Sequence, residues 1–538
     1  MKNKDYCFYD VPELYSLRDL IKEHSEDKAK QTAFTYRKRR ELVKKTYYDF
    51  YREVECFGEF LLQKYKNIHI AVFGENSYDW LLTYFATACS GNVIVPIDAG
   101  LSAEEISILL AKSDCEVFIY SENYFDIAEE MVEKYHVQID MYSLKYMKKY
   151  LEEGEEVLQS GSDLFQRIEL SEDQVATIVF TSGTTGVSKG VILTHKNLCQ
   201  DIYASCRSFI VTGPVIAFLP FHHIFGMIAG IMMIFHYARP IHINRSLKEI
   251  MQDIHEIKPQ TLLLVPLYVE SFYKQIVDEI KKQNKEQQMK FAKKIIPVVG
   301  KLGIDLRKKI FAEIQQKFGG NLEYIICGGA ALDPFYVREF RMFGIELRNG
   351  YGITECSSVI SVNRNFYNRD GSVGKVIPCC EVKISDEGEI LARGANVMKE
   401  YYKDEENTQM SFLDGWYRTG DLGYLDRDGF LYVTGRSKNL IILSNGENVS
   451  PEGIEQELSK SEWIEEVLVY GEGNYLVAEI YPNQDAASEQ TKSEIDKVIS
   501  TWNKMQPAYR QIKKIIVRQD EFEKTTSRKI KRYKVGGE

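Results

Sequence analysis

Between Ile68 and Tyr120 the hydrophobic pattern switches back and forth between two periods. Ile68–Phe73 is an apolar run of strand length. Tyr78–Cys89 spaces aromatic and aliphatic side chains at helical intervals, and Asn92–Pro96 returns to a strand-like run. Ser102-Ala-Glu-Glu105 is a capping box that opens a helix ending near Ser113, and Cys115–Tyr120 is a third strand. Strands joined by helices need crossover connections. This stretch therefore predicts a parallel sheet with helices on its faces.

The pattern recurs at Thr261–Val265 and Glu323–Cys327, buried-type runs that end at Pro or Gly. A chain of 538 residues is too long for one compact core. From about Glu381 the rhythm changes to short strands and turns, with hairpin signals at Asp414-Gly415 and Asp428-Gly429. After Gly435 the sequence predicts a compact segment. It comprises a helix with Pro451 in its first turn, strands near Val467 and at Tyr475–Tyr481, a helix through Trp502 and a strand near Ile515. The expected division is a domain of residues 1–435 and a small domain of residues 436–538.

A net charge of −10 argues against generic polyanion binding, and no nucleic-acid partner is expected. The basic cluster Arg37–Arg40 with Lys44 and Lys45 reads as a solvated hairpin tip. The ten cysteines form no CxxC pair and no zinc spacing. Cys379 and Cys380 are adjacent within Val376–Ile384, which reads as one strand. With no signal peptide in MKNKDYCFYD, reduced thiols and a cytoplasmic location are expected. The most apolar run, Ile224–Phe235, is too short to span a bilayer and reads as core helix or pocket wall.

TSGTTGVSKG, Thr181–Gly190, sits between the apolar strands Ala176–Phe180 and Val191–Leu193. Glycines let backbone N–H groups turn inward around an anion. The hydroxyls of Thr181, Ser182, Thr184 and Thr185 add donors, and Lys189 adds charge. The stretch reads as a phosphate-holding loop. It is not a Walker A loop, because Val187 and Ser188 separate Gly186 from Lys189, and no GxGxxG is present.

TSGTTGVSKG resembles the signature of the AMP-forming adenylate superfamily: acyl-CoA synthetases, carrier-protein adenylation domains and luciferases. Further segments resemble that family in its own order. They are Leu219–Gly226 (LPFHHIFG), Cys327–Ala331 (CGGAA), Asn349–Glu355 (NGYGITE), Tyr417–Asp421 (YRTGD), Gly435–Lys438 (GRSK), Gly446–Pro451 (GENVSP) and Lys524–Arg532 (KTTSRKIKR). The resemblance implies an α/β fold: a large N-terminal region of parallel sheets flanked by helices, a small β-barrel-like subdomain, and a small mobile α+β C-terminal lid.

The resemblance also implies roles. Thr181, Ser182, Gly183, Thr184, Thr185, Gly186 and Lys189 would hold the β- and γ-phosphates of ATP. Glu355 and Thr181 would hold Mg²⁺, with Thr354 at the α-phosphate. Tyr351 would stack on adenine, while Gly328, Gly329 and Ala330 would let ligand approach the backbone. Asp421 would accept from the ribose hydroxyls, with Arg436 at ribose or phosphate. Lys438 would be the hinge, and Gly446 would line the path of a pantetheine arm. Lys529 would bridge carboxylate and α-phosphate, and His223 would gate the carboxylate site, with His222 as the alternative. The sequence departs from the family at Arg528, where glycine is usual.

The implied reaction is activation of a carboxylic acid to an acyl-adenylate, then thioester formation with coenzyme A. The run Ile224–Phe235 and the ending FEKTTSRKIKRY resemble the branch that acts on medium- or long-chain fatty acids. No aspartate that could pair an α-amine lies between Phe218 and Tyr237. A stand-alone enzyme loading an aryl, amino or fatty acid onto a carrier-protein phosphopantetheine is the alternative. A non-catalytic nucleotide sensor is a third reading. A lipid-like substrate also implies transient membrane contact.

Overall fold

A computed structural model describes residues 8–39, 41–181, 188–246, 248–300, 302–443, 447–483, 488–524 and 530–532. Contacts divide the chain into two units. One is Met1–Glu381 with Ala392–Tyr417, and the other is Val382–Leu391 with Arg418–Glu538.

The first unit holds the expected parallel sheets. A six-stranded sheet runs in the order Asp140–Ser143, Cys115–Tyr120, His69–Phe73, Val93–Ile97, Val175–Thr181, Lys189–Thr194. Its neighbours are parallel except for the last pair, which is an antiparallel hairpin. Tyr78–Cys89 and Ala103–Lys112 are helices as predicted. The Ser102 hydroxyl accepts from the Glu105 N–H while the Glu105 carboxylate takes the Ser102 N–H. Each bond satisfies an orphan donor of the first turn. Ile70, Ala71, Val72 and Phe73 have no solvent access, which is why this strand reads as continuously apolar rather than alternating.

A nine-stranded sheet has Tyr324–Cys327 between Glu346–Tyr351 and Thr261–Leu264, all parallel. Further out lie Val215–Ala217, Ile241–Ile243 and the hairpin Thr32–Lys38/Glu41–Thr46. The apolar run is a core helix: α-helical at Ile224–Met227, π-helical at Ile228–Met232 and α-helical again at Met233–His236. Short strands between Cys380 and Arg436 form the expected small antiparallel sheet of barrel type.

In the second unit, Ile464–Glu472 pairs antiparallel with Tyr475–Pro482, and Ile512–Val517 joins parallel to the latter. Helices Pro451–Leu458 and Glu489–Lys504 close its core through Ile454, Leu458, Ile495, Ile499 and Trp502.

Two expectations need correction. Val376–Ile384 is not one strand. Lys375–Val376 and Cys380–Ile384 are separate, because Pro378 has no N–H to donate and the Cys380 N–H closes a turn on Ile377. Arg37 is not a solvated tip residue. Its side chain is 14% exposed and paired with Asp253 and Glu256. Near the end of the chain Lys524 pairs with Glu466 and Glu521, and Arg532 with Glu455. The described cysteines are all free thiols, and no described helix is long and apolar enough to cross a membrane.

Helix Tyr47–Leu62 packs on helix Met147–Gln159 at Gly154, where a Cβ would overlap the Cys56 carbonyl, and on the short helix Leu164–Arg167 at Gly58, where a Cβ would overlap the Phe165 ring. Gly154→Ala is expected to lower the thermal unfolding midpoint, from overpacking of about 1–3 kcal/mol. Gly453→Ala, in a helix where a Cβ meets nothing, is expected to leave it unchanged or raise it. Calorimetry of the two variants checks the contrast.

Candidate active site

The antiparallel pairing of Val175–Thr181 with Lys189–Thr194 puts Thr181 directly opposite Lys189. The two residues bracket residues 182–187. Ser182, Gly183, Thr184, Thr185 and Gly186 lie outside the described residues, as do Gly446 and Lys529.

Lys189 leads to the centre of the site. Its Nζ donates to Asn407 Oδ1 at 2.5 Å and lies 4.9 Å from the centre of the Tyr401 ring. The Tyr401 hydroxyl donates to Glu355 Oε1 at 2.9 Å and shares a 3.0 Å hydrogen bond with the Tyr417 hydroxyl. Burial, and then the nearby Glu355 charge, push both phenols above the usual tyrosine range, so both stay protonated donors at neutral pH. Backbone bonds fix the arrangement: Tyr402 N–H to Gly190 O at 2.7 Å, Ile192 N–H to Glu400 O at 3.2 Å and Met398 N–H to Glu355 O at 2.7 Å. Lys189 and Glu355, far apart in sequence, thus meet at Tyr401, with Thr181 opposite Lys189 in the hairpin.

Glu355 sits in a 3-10 turn, Thr354–Cys356, that follows the strand Glu346–Tyr351. Ser357 and Ser358 leave the turn with φ of 53° and 102°, a left-handed backbone that non-glycine residues adopt only at a cost. A buried network behind the turn imposes it. Asp201 Oδ2 accepts from the Val359 N–H at 3.1 Å and from Asn396 Nδ2 at 3.2 Å. Asn396 Nδ2 also reaches the carbonyls of Cys356 and Val359, and the Ser357 hydroxyl donates to Asn396 O at 2.8 Å. Asn197 holds the Asn396 segment by donating to Ala395 O and Val397 O. Burial raises the Asp201 carboxyl well above its ordinary range, against the pull of these donors.

The other predicted residues of this unit collect at the carboxyl ends of the parallel strands. In open α/β sheets this is where ligands bind. Gly328 and Gly329 follow Tyr324–Cys327, Gly329 with φ of 82°. A Cβ on Gly328 would press on the Phe225 ring at 3.2 Å, and Ala330 beyond it is exposed. Tyr351, half-buried, ends the adjacent strand, and Thr354 follows in the turn. His223 is the N-cap residue of the helix that carries Phe225 and is half-buried. His222 instead faces Asp98, its Nε2 3.5 Å from Oδ1, and burial lowers its pKa.

In the second unit, Asp421 and Arg436 are register partners across a hairpin, with Arg436 Nε 2.8 Å from the Asp421 carboxylate. Asp421 is buried and Arg436 largely exposed. Gly420, the strand residue before Asp421, has a φ of 70°, and its N–H donates to Glu389 at 3.0 Å. Lys438 lies exposed in the 3-10 turn Ser437–Asn439.

Reading the sequence missed Tyr401, Asn407, Asp201 and Asn396. Only Tyr417 carried a signal, as the first residue of YRTGD. Asp201→Ala orphans the Val359 N–H and one Asn396 bond. It is expected to lower stability by about 1–3 kcal/mol, read as a lower denaturation midpoint.

Residues 21–402 match the AMP-binding enzyme family, and residues 438–536 match the AMP-binding enzyme C-terminal domain. Long-chain-fatty-acid–CoA ligase FadD15 of Mycobacterium bovis is 28% identical over 453 residues, covering 80% of this chain and 75% of that one. Long-chain-fatty-acid–CoA ligase 1 of Cavia porcellus is 28% identical over 477 residues, covering 80% and 68%. The solved anthranilate CoA ligase AuaEII, in complex with anthranoyl-AMP, shares the fold with a TM-score of 0.78 at 18% identity, covering 98% of this chain and 97% of that one. A Mycobacterium tuberculosis fatty acyl CoA synthetase does so with a TM-score of 0.66 at 20% identity, covering 96% of each. The matched segments take in most of the sequence and hold the hairpin, the Glu355 turn and Tyr401; the chain belongs to the family of AMP-binding enzymes.

Proposed function

We propose that the protein is an AMP-forming acid–CoA ligase whose acid is a medium- or long-chain fatty acid. The observation that carries this reading is the meeting of Lys189 and Glu355 at Tyr401, with Thr181 opposite Lys189 at the mouth of a sequence rich in hydroxyls and glycine. Joining a carboxylate to ATP brings two anions together, so the barrier is chiefly electrostatic. Lys189 and the loop Thr181–Gly186 hold the β- and γ-phosphates, and Thr354 contacts the α-phosphate. Tyr351 stacks on adenine beside the bare backbone of Gly328, Gly329 and Ala330, while Asp421 and Arg436 take the ribose.

The acid's carboxylate oxygen bonds to the α-phosphorus as the bond to pyrophosphate breaks. Lys529 neutralises the charge that builds between them. The CoA sulfur then bonds to the acyl carbon, and AMP leaves. Residues 436–538 act as a lid turning about Lys438, which exchanges Lys529 for Gly446 between the two steps. His223 gates the carboxylate site.

The donor set of Glu355 and Thr181 is all oxygen, and the Glu355 carboxylate, fixed by Tyr401, keeps lone pairs for a hard cation. That set fits Mg²⁺, which when bound supplies neutralising charge on the phosphates. The ligase relatives support a fatty acid, as does the apolar run Ile224–Phe235, whose Phe225 leaves no room for a Cβ on Gly328.

AMP and pyrophosphate release with ATP and Mg²⁺ tests the reading. The panel is acetate, octanoate, palmitate, benzoate, 2,3-dihydroxybenzoate and amino acids, each with and without CoA. Turnover of octanoate or palmitate that needs CoA is expected. Adenylate formation indifferent to CoA would move the assignment to carrier-protein loading, and silence with every acid would overturn it. Lys529→Ala is expected to slow adenylation ~10²–10³-fold while thioester formation from supplied acyl-adenylate persists. Tyr401→Phe is expected to raise the Mg²⁺ concentration for half-maximal rate roughly fivefold, the worth of one hydrogen bond.

A further inference from the structure

The charge of this protein is unevenly distributed. Lys281–Lys309 (KKQNKEQQMKFAKKIIPVVGKLGIDLRKK) holds ten Lys or Arg against two acidic residues, Glu286 and Asp305. That is +8 within a chain of −10, leaving −18 for the rest. Helix Glu286–Gly300 lies in this stretch and packs inward through Ala292 and Ile296, which are buried. Its other face is not polar. Phe291 is 65% exposed and Val298 62%, and beyond the helix Leu302 is 75% and Ile304 52% exposed.

The lysines around these apolar groups divide into two sets. Lys285 pairs with Glu313 and Lys293 with Glu339. Lys281, Lys282, Lys290, Lys294 and Lys309 make no ion pair among the described residues. Lys290 and Lys294 flank Phe291 at helical spacing, so the outer stripe alternates cation and hydrocarbon.

That combination selects one kind of surface. A phosphate polymer would take the lysines but offers no place for Phe291, Leu302 and Ile304. Neutral hydrocarbon would take the apolar groups but repel the charge. The interface of an anionic bilayer takes both: hydrocarbon at the acyl boundary, ammonium at the lipid phosphates. We propose that the outer face of helix Glu286–Gly300, with Leu302 and Ile304 beyond it, docks this protein on anionic lipid. The proposal does not depend on which acid is activated, because it is read with neither ATP nor acid present.

The test is co-sedimentation of the full chain with phosphatidylcholine vesicles and with mixed phosphatidylcholine–phosphatidylglycerol vesicles. Binding to the anionic vesicles alone, falling as salt is raised, is expected. The double variant Lys290→Glu/Lys294→Glu and the double variant Leu302→Ser/Ile304→Ser are each expected to weaken it about tenfold or more. Both change exposed side chains, and unaltered circular dichroism and unfolding midpoints check that they fold. Phe291→Trp supplies a second readout, its emission expected to shift to the blue on anionic vesicles. Equal binding to both vesicle types, binding indifferent to both variant pairs, no binding, or use of this face only for self-association would each overturn the proposal.

Discussion

Asp201 has no access to water, so whatever bonds its carboxyl group makes come from inside the protein. Those described go to the Val359 N–H and the Asn396 amide. Asn396 in turn grips the carbonyls at either end of the turn that follows Glu355. One buried acid on a helix thereby fixes a backbone path that two serines would not choose unaided. The site carboxylate is placed from behind, by residues that need never touch a substrate, and a left-handed pair in the backbone records the constraint.

The regular elements were legible because each depends on neighbours close in sequence. Tyr78–Cys89 is a helix within the limits its periodicity sets, and the Ser102–Glu105 capping box is present in both its bonds. The phosphate-loop motif was equally local. What could not be read was long-range. Asp201 and Asn396 are 195 positions apart, and Glu355 and Tyr401 are 46 apart. Arg37 looks solvated in a run of four basic residues, and only the fold brings Asp253 to it. The broken strand at Pro378 was readable in principle, since a missing N–H is a local fact.

Asp421 shows a different limit. Its type and setting identify a carboxylate fit for hydroxyl donors, and sequence reasoning named Arg436 independently. That the two are opposite each other on paired strands follows only from the register of the hairpin. Arg436 both compensates a buried charge and remains largely in water, so it is anchored at one end without being enclosed.

The Tyr401 ring meets a cation on its face and an anion at its rim. Lys189 lies over the electron-rich face, while the hydroxyl, at the far end of the ring axis, reaches Glu355. The rigid aromatic ring is a common mount for both: its face takes the cation and its hydroxyl takes the carboxylate. The covalent geometry of one ring thereby sets the directions from which a cation and an anion, supplied by distant stretches of the chain, are presented at the strand ends.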